Sequence, residues 1–167
     1  ISESSGSLGT FNLRCLDSNS SLKIKKSELT LSSNYSFTVG SINVENVGVL
    51  GGSGYTWSQK SASNFTIASK SRLKLNRGFK FEYAASSATK TNLVMSDSTS
   101  ELFLDACTLH GTTTGVRLDT GRLLINEKVT LSSDATVVAE AVEFSSALNI
   151  DVLSGAVLDV TGMLLYD

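Results

Sequence analysis

The chain has 167 residues, of which 41% are hydrophobic and 18% are charged, and its formal net charge is −2. This length allows one domain with a substantial core, and the regular spacing of the apolar residues excludes a disordered chain. No apolar run is long enough to cross a bilayer, so we expect no membrane insertion.

Short segments that alternate apolar and polar residues follow one another along the whole chain. Such alternation is typical of a strand with one buried face. In chain order the segments are FNLRC, SLKIK, ELTLS, SFTVG, INVEN, YTWSQ, FTIAS, RLKLN, FKFEY, NLVMS, ELFLD, GVRLD, RLLIN, KVTLS, AVEFS, ALNID, AVLDV and GMLLY. Ser, Gly, Asn and Asp separate them, as turns require. Only DATVVAEAVEF, residues 134–144, also fits a short helical turn.

The alternating segments form a longer repeat. In each unit, one apolar-x-apolar pair is followed by a second pair after three or four residues, as at Leu73, Leu75, Phe79 and Phe81. A third pair usually comes next. The units begin near residues 22, 42, 73, 102, 123 and 148. Repeats of this size indicate a solenoid, in which each strand pairs in parallel with its equivalent one turn later.

A β-sandwich or an antiparallel barrel also contains many short strands. These folds use tight hairpin turns that favour Asn-Gly or Asp-Gly, and the sequence contains neither dipeptide. The units also match one another, which stacked coils require and a Greek key does not. We therefore predict a single all-β domain over residues 1–167, a parallel β-solenoid of about six coils with three short strands each.

Units such as SELFLDACTLHG and GRLLINEKVTLSSD resemble those of right-handed parallel β-helix proteins. This group includes pectate-lyase-like enzymes, phage tailspikes and autotransporter passengers. The resemblance covers most of residues 8–167 and implies a right-handed coil with an extracellular or cell-surface role. Because the chain begins with Ile1 and not with Met, we expect a processed chain or a segment of a larger protein.

The sequence predicts no catalytic residue, no cofactor and no metal site. Acidic residues are scattered, without an adjacent Asp pair or a DxD triplet. The only histidine, His110, has no evident partner, and we expect it in a turn. Cys15 and Cys107 have no metal-binding spacing, and we expect them to remain unbonded because several coils separate them.

Four large side chains are candidate contacts for a partner or a ligand. Tyr55 and Trp57 alternate beside a Gly-rich loop, where an exposed pair would stack on a sugar ring, although large aromatics more often fill a core. Phe103 and Leu124 fall between inward-facing pairs of consecutive coils, so we expect them side by side on one outer face. Such an apolar pair suggests a surface covered by a loop or by another subunit.

Charge is distributed unevenly along the chain. Residues 1–90 contain 11 Lys and Arg against 5 Asp and Glu, giving +6, and residues 91–167 contain 3 against 11, giving −8. In a solenoid this distribution produces a basic end and an acidic end. The basic residues alternate with Ser and not with exposed aromatics, so we expect no nucleic-acid binding.

These features favour a non-catalytic structural or adhesive protein outside the cell. We expect self-association along the solenoid axis, basic end to acidic end, because a head-to-tail contact hides both exposed edges and can propagate into a fibre or stalk. The alternative is a module that binds or degrades polysaccharide, with carbohydrate contacts near Tyr55 and Trp57.

Overall fold

The computed structural model describes residues 5–7, 15–87, 90–112, 117–135, 142–161 and 164–166. These residues form 20 β-strands and no helix. The strands are β1 (Ser5–Ser7), β2 (Ser21–Thr30), β3 (Tyr35–Phe37), β4 (Gly40–Gly51), β5 (Thr56–Gln59), β6 (Ser63–Ile67), β7 (Arg72–Leu75), β8 (Lys80–Tyr83), β9 (Ala85–Ser87), β10 (Lys90–Thr91), β11 (Leu93–Met95), β12 (Glu101–Asp105), β13 (Thr108–Gly111), β14 (Arg117–Leu118), β15 (Gly121–Asn126), β16 (Lys128–Ser133), β17 (Val142–Phe144), β18 (Leu148–Val152), β19 (Val157–Thr161) and β20 (Leu164–Tyr166). Most of the predicted strand FNLRC, and residues 136–141 of the segment with a helical alternative, lie outside the described part.

The strands stack into three faces, numbered in the order in which each coil visits them. Face 1 contains the first halves of β2 and β4, then β6, β11, β14, β17 and β20. Face 2 contains β1, the second halves of β2 and β4, then β7, β12, β15 and β18. Face 3 contains β3, β5, β8, β13, β16 and β19.

The predicted parallel β-solenoid is confirmed. From β2 to β18 the chain completes five turns, and the strands of successive coils pair in parallel, except that no pairing joins β11 to β14 within the described residues. One antiparallel pair, β9 with β10, interrupts this pattern within the described residues. Most coils therefore contain three strands, and the number of coils is close to the six predicted.

Face 2 carries the column of leucines from which the repeat was predicted. Leu73 pairs with Leu102, and Leu102 pairs with Leu123. All three side chains are completely buried, because alternate residues of each strand point into the coil.

Two predicted unit starts, Leu22 and Leu148, do not pair within this column, although Leu148 is buried as expected. Leu148 pairs with Gly121, and Ile150 is the residue opposite Leu123, so the last unit begins two residues later than predicted. Leu22 lies on face 1, where it pairs with Ile42. Leu22 falls on face 1 because β2 and β4 each run from face 1 to face 2 without an intervening loop.

A single residue in a left-handed conformation produces the bend within each of these long strands. The bend residues are Lys26, with a φ of 47°, and Asn46, with a φ of 62°. The register of β2 on β4 shifts at this bend, between Lys25 and Ser27. Lysine rarely adopts positive φ, so the sequence alone does not predict the bend at Lys26.

Replacing Leu123 with Ala is expected to destabilise the fold by about 2–5 kcal/mol, because a fully buried leucine leaves a cavity when it is truncated. Urea unfolding followed by circular dichroism measures this change. Val94→Ala is the matched control, because Val94 lies on face 1 and is 38% exposed. Equal effects of the two substitutions would show that Leu123 is not a packed interior residue.

Candidate functional site

Trp57 and Tyr55 do not form an exposed platform. Trp57 is fully buried, and its ring stacks on Phe37 with centroids 4.5 Å apart. Its indole nitrogen donates a hydrogen bond of 2.9 Å to the side-chain oxygen of Gln59. Tyr55 is half-buried and packs against the core. Trp57 is therefore inaccessible to a sugar, because it fills the interior of the second coil.

Phe103 and Leu124 lie side by side on the outer side of face 2, as the repeat predicts. They are direct partners between β12 and β15. Leu124 is only 6% exposed although it lies outside the core cluster, and Phe103 is half-buried. The guanidinium carbon of Arg72 lies 5.8 Å from the centre of the Phe103 ring, and the Lys74 ammonium lies 5.4 Å from it.

A ladder of ion pairs runs beside this apolar pair along face 2. Arg72 contacts Glu101 at 2.5 Å, and Arg122 lies between Glu101 at 3.5 Å and Asp151 at 2.5 Å. Hydrogen bonding to Asp151 raises the pKa of Arg122 above its usual value. Exposed ion pairs add little stability singly. Arg and Lys stems can cover neighbouring apolar surface, so much of the covering of Phe103 and Leu124 comes from the chain itself.

His110 lies in strand β13 and not in a turn, and it does have partners. Its Nδ1 atom is 2.8 Å from the hydroxyl of Ser132, and its Nε2 atom is 3.2 Å from a carboxylate oxygen of Asp134. Glu82 occupies the equivalent position on the preceding coil. The sequence contains a signal for the first contact, because Ser132 follows Leu131 as His110 follows Leu109.

Serine, histidine and aspartate are also the side chains of a hydrolytic triad, which additionally needs free donors for an oxyanion. Here the backbone amides beside the cluster are engaged in the stacked sheet. Thr108 donates to the carbonyl of Phe79, and Thr130 donates to that of Cys107. The Asp134 amide donates to Gly111. The three side chains form a hydrogen-bonded tie between two neighbouring coils.

The C-terminal end of the solenoid exposes side chains that are core residues in every preceding coil. We call this surface, formed by β18, β19 and the turn between them, the open end. Val152 is 50% exposed and Val160 is 51% exposed. Their equivalents one coil earlier, Ile125 and Leu131, are 0% and 2% exposed. The outer edges of β18 and β19 also have no strand partner among the described residues.

The other end of the solenoid is better covered. Most inward-facing residues of the first coil are buried, namely Ile24, Leu29, Tyr35 and Phe37, and Leu22 is half-buried. Three of the large apolar side chains that are exposed in the described residues belong to the open end, namely Val152, Leu153 and Val160. A fourth, Val157, lies nearby on the outer side of face 3, opposite the exposed Lys128. The open end is therefore the largest concentration of exposed apolar side chains on the described surface.

A shallow groove of about 420 Å³ lies at the corner between faces 1 and 2. It is lined by Asn46, Val47, Lys70, Ser71, Arg72, Thr99 and Glu101. The groove therefore presents two cations, a carboxylate that pairs with one of them, an amide and hydroxyl groups beside one exposed valine. No group of three or more His, Cys, Asp or Glu in the described ranges is placed to hold a metal ion.

Neither cysteine forms a disulfide, as expected. Cys107 is buried, and burial raises the pKa of its thiol to about 12. Because the thiolate is the reactive form, Cys107 is expected to resist iodoacetamide in the native protein near pH 8 and to react after unfolding. Intact mass spectrometry before and after denaturation counts the modified thiols. Rapid alkylation of native Cys107 would contradict its burial.

Comparison with known proteins gives no family for this chain, because no family model, curated protein or solved structure matches it. The parallel solenoid is shown by the strand pairing itself, and the resemblance to pectate-lyase-like or autotransporter proteins remains a hypothesis. The described residues include no helix that is long and apolar enough to span a membrane.

Proposed function

We propose that this chain is a non-catalytic structural segment of an extracellular or cell-surface protein, a β-solenoid rod that associates with further solenoid structure through its open end. The observation that carries the proposal is the exposure of core positions in the last coil. Val152 and Val160 point along the same columns as buried residues of every earlier coil. A partner that adds a coil there completes those columns.

The energetics favour coverage of this surface. Burying one exposed Val or Leu side chain contributes roughly 1.5–3 kcal/mol, and the open end exposes several together. Edge strands also present unpaired amide and carbonyl groups that recruit other strands. Association costs several kcal/mol in lost freedom of motion, so more than one of these side chains must become buried for a stable contact.

Replacing both Val152 and Val160 with Asp is expected to abolish association, because carboxylates at the contact would be desolvated and would repel one another. Sedimentation velocity over a range of protein concentrations measures this effect. The matched control replaces Val47 and Val94 with Asp. These valines are 46% and 38% exposed but lie on the sides of the solenoid.

The control variant should associate like the parent protein. The circular dichroism spectrum and the melting temperature of both variants show whether the fold is intact. The proposal fails if the parent stays monomeric at high concentration and low salt, or if the two double variants associate equally.

A second candidate function, carbohydrate binding, is favoured by the corner groove. Lys70 and Arg72 supply positive charge, part of which Glu101 of the same groove neutralises through its 2.5 Å contact with Arg72, and Asn46 and Thr99 supply hydrogen-bonding groups. The ammonium group of Lys70 would pair with a carboxylate or sulfate of an acidic saccharide. Titration calorimetry with an acidic glycan panel tests this function. If binding survives the double substitution Lys70→Ala and Arg72→Ala, the saccharide binds outside the corner groove.

A further inference from the structure

We infer that the corner groove binds the carboxylate of an acidic saccharide through two side chains, the ammonium group of Lys70 and the amide of Asn46. This inference rests on the second candidate function, because it names the residues of the same groove that hold the acidic group. Two features support it: the hydrogen-bond donors that the chain leaves unused in the groove, and the position of both residues at the bends between faces 1 and 2.

The two cations of the groove differ in what they already bind. The Nε and Nη2 atoms of Arg72 both contact one carboxylate oxygen of Glu101, at 2.6 Å and 2.5 Å. Lys70 is exposed and forms no ion pair with any residue in the described part of the chain. An ammonium group that balances no carboxylate of its own chain attracts the carboxylate of a ligand, so Lys70 is the principal cation of the groove.

Asn46 supplies the second donor. Its backbone amide donates to the hydroxyl of Ser71 at 2.9 Å, and the backbone amide of Lys70 donates to the hydroxyl of Thr99 at 2.8 Å. These bonds hold the backbone of both residues in place. The side-chain amide of Asn46 makes no hydrogen bond to another described residue. Two donors match the two oxygens of one carboxylate, and Val47, which is 46% exposed, offers an apolar contact to a sugar ring.

Lys70 and Asn46 share a left-handed backbone conformation, with φ values of 55° and 62°. Both lie at the corner between faces 1 and 2, where Lys26 has the same conformation in the first coil. The conformation belongs to the corners of the solenoid and not to the groove, since Ala106, with a φ of 47°, adopts it at the corner between faces 2 and 3. Glycine takes this conformation without steric cost. A glycine substitution therefore removes either side chain from the groove while the corner keeps its shape.

Lys70→Gly and Asn46→Gly separate binding from folding. The probes are a glucuronate oligosaccharide and the same oligosaccharide with its carboxylates reduced to alcohols, and titration calorimetry measures their dissociation constants. Each substitution is expected to weaken binding of the acidic probe by about tenfold or more, the loss typical of a hydrogen bond to a charged group. The melting temperature should stay close to that of the parent. Ala106→Gly is the matched control, because it relaxes the same conformation at another corner, and it should bind like the parent.

Loss of binding in both groove variants, together with loss of binding by the reduced probe, supports the inference. Unchanged binding in Lys70→Gly, or equal binding of the two probes, would overturn it. If Arg72→Ala alone then abolishes binding, the second candidate function stands with a different cation. Absence of binding by the parent would overturn the inference, and absence of binding to every acidic glycan would overturn the second candidate function as well. None of these results bears on the open end, which sedimentation velocity tests separately.

Discussion

Replacing Asn92 with Leu is expected to destabilise the protein by about 3–5 kcal/mol, because each buried polar group left without a partner costs about 1–3 kcal/mol. Asn92 is completely buried. Its side-chain nitrogen donates to the carbonyls of Gln59 at 2.7 Å and Lys60 at 2.8 Å, and its side-chain oxygen accepts from the amide of Ala84 at 2.7 Å. One amide thus satisfies backbone groups of two consecutive coils.

Asn64→Leu is the matched control, because Asn64 lies in β6 with its side chain exposed. An exposed substitution of this kind usually changes stability by less than about 0.5 kcal/mol. Chemical denaturation of the two variants measures the difference in their free energies of unfolding, provided that the free energy falls with denaturant concentration at the same slope in both. If both variants unfold at the same midpoint, the hydrogen bonds of Asn92 do not hold the coil corner together.

Much of the fold could be predicted from the sequence, because the face 2 strands of three coils share one short apolar pattern. Leu73, Leu102 and Leu123 begin pairs of the same spacing, and a stacked coil must align them. The last coil could not be aligned in the same way. Its segment LNIDV offers both Leu148 and Ile150 as partners for Leu123, and alternation alone does not choose between them.

The hydrogen bonds of polar residues at the corners between faces could not be predicted, because the partners of these residues depend on which coils are adjacent. Ser100 illustrates the difficulty, since its hydroxyl donates to the carbonyls of Ile67 and Ala68, more than thirty positions earlier in the chain. A serine in a Ser-rich sequence carries no sign of such a role. Asn92 is equally inconspicuous beside the other asparagines of the chain.

The candidate site could also be predicted only in part from the sequence. The adjacency of Phe103 and Leu124 follows from the repeat, and the structure confirms it. The open end does not follow from any local pattern, because Val152 and Val160 have the same alternation as the buried pairs before them. Their exposure depends only on whether another strand lies above them. Periodicity predicts which side of a strand faces inward, but not whether the inside is covered.

Replacing Trp57 with Ala is expected to cost about 3–5 kcal/mol, the range for truncating a buried aromatic ring. The ring contacts Phe37 in a stacked pair and Phe65 edge to face, with centroids 5.9 Å apart in the second pair. The loss includes these aromatic contacts as well as the cavity. Gln59 would also lose its indole partner in a fully buried position.

Tyr55→Ala serves as the control because Tyr55 is two residues away but half-buried, so its truncation should cost clearly less. Trp57 is the single tryptophan of the chain, so its fluorescence reports on this site alone. A ring in the core should emit at short wavelength and resist quenching by iodide until the protein unfolds. Adding saccharides should leave that emission unchanged, because the ring does not reach the surface. The opposite result would be efficient iodide quenching of the native protein together with a small loss of stability in Trp57→Ala. That result would place the ring on the surface and support the sugar-stacking hypothesis, which the burial of Trp57 opposes.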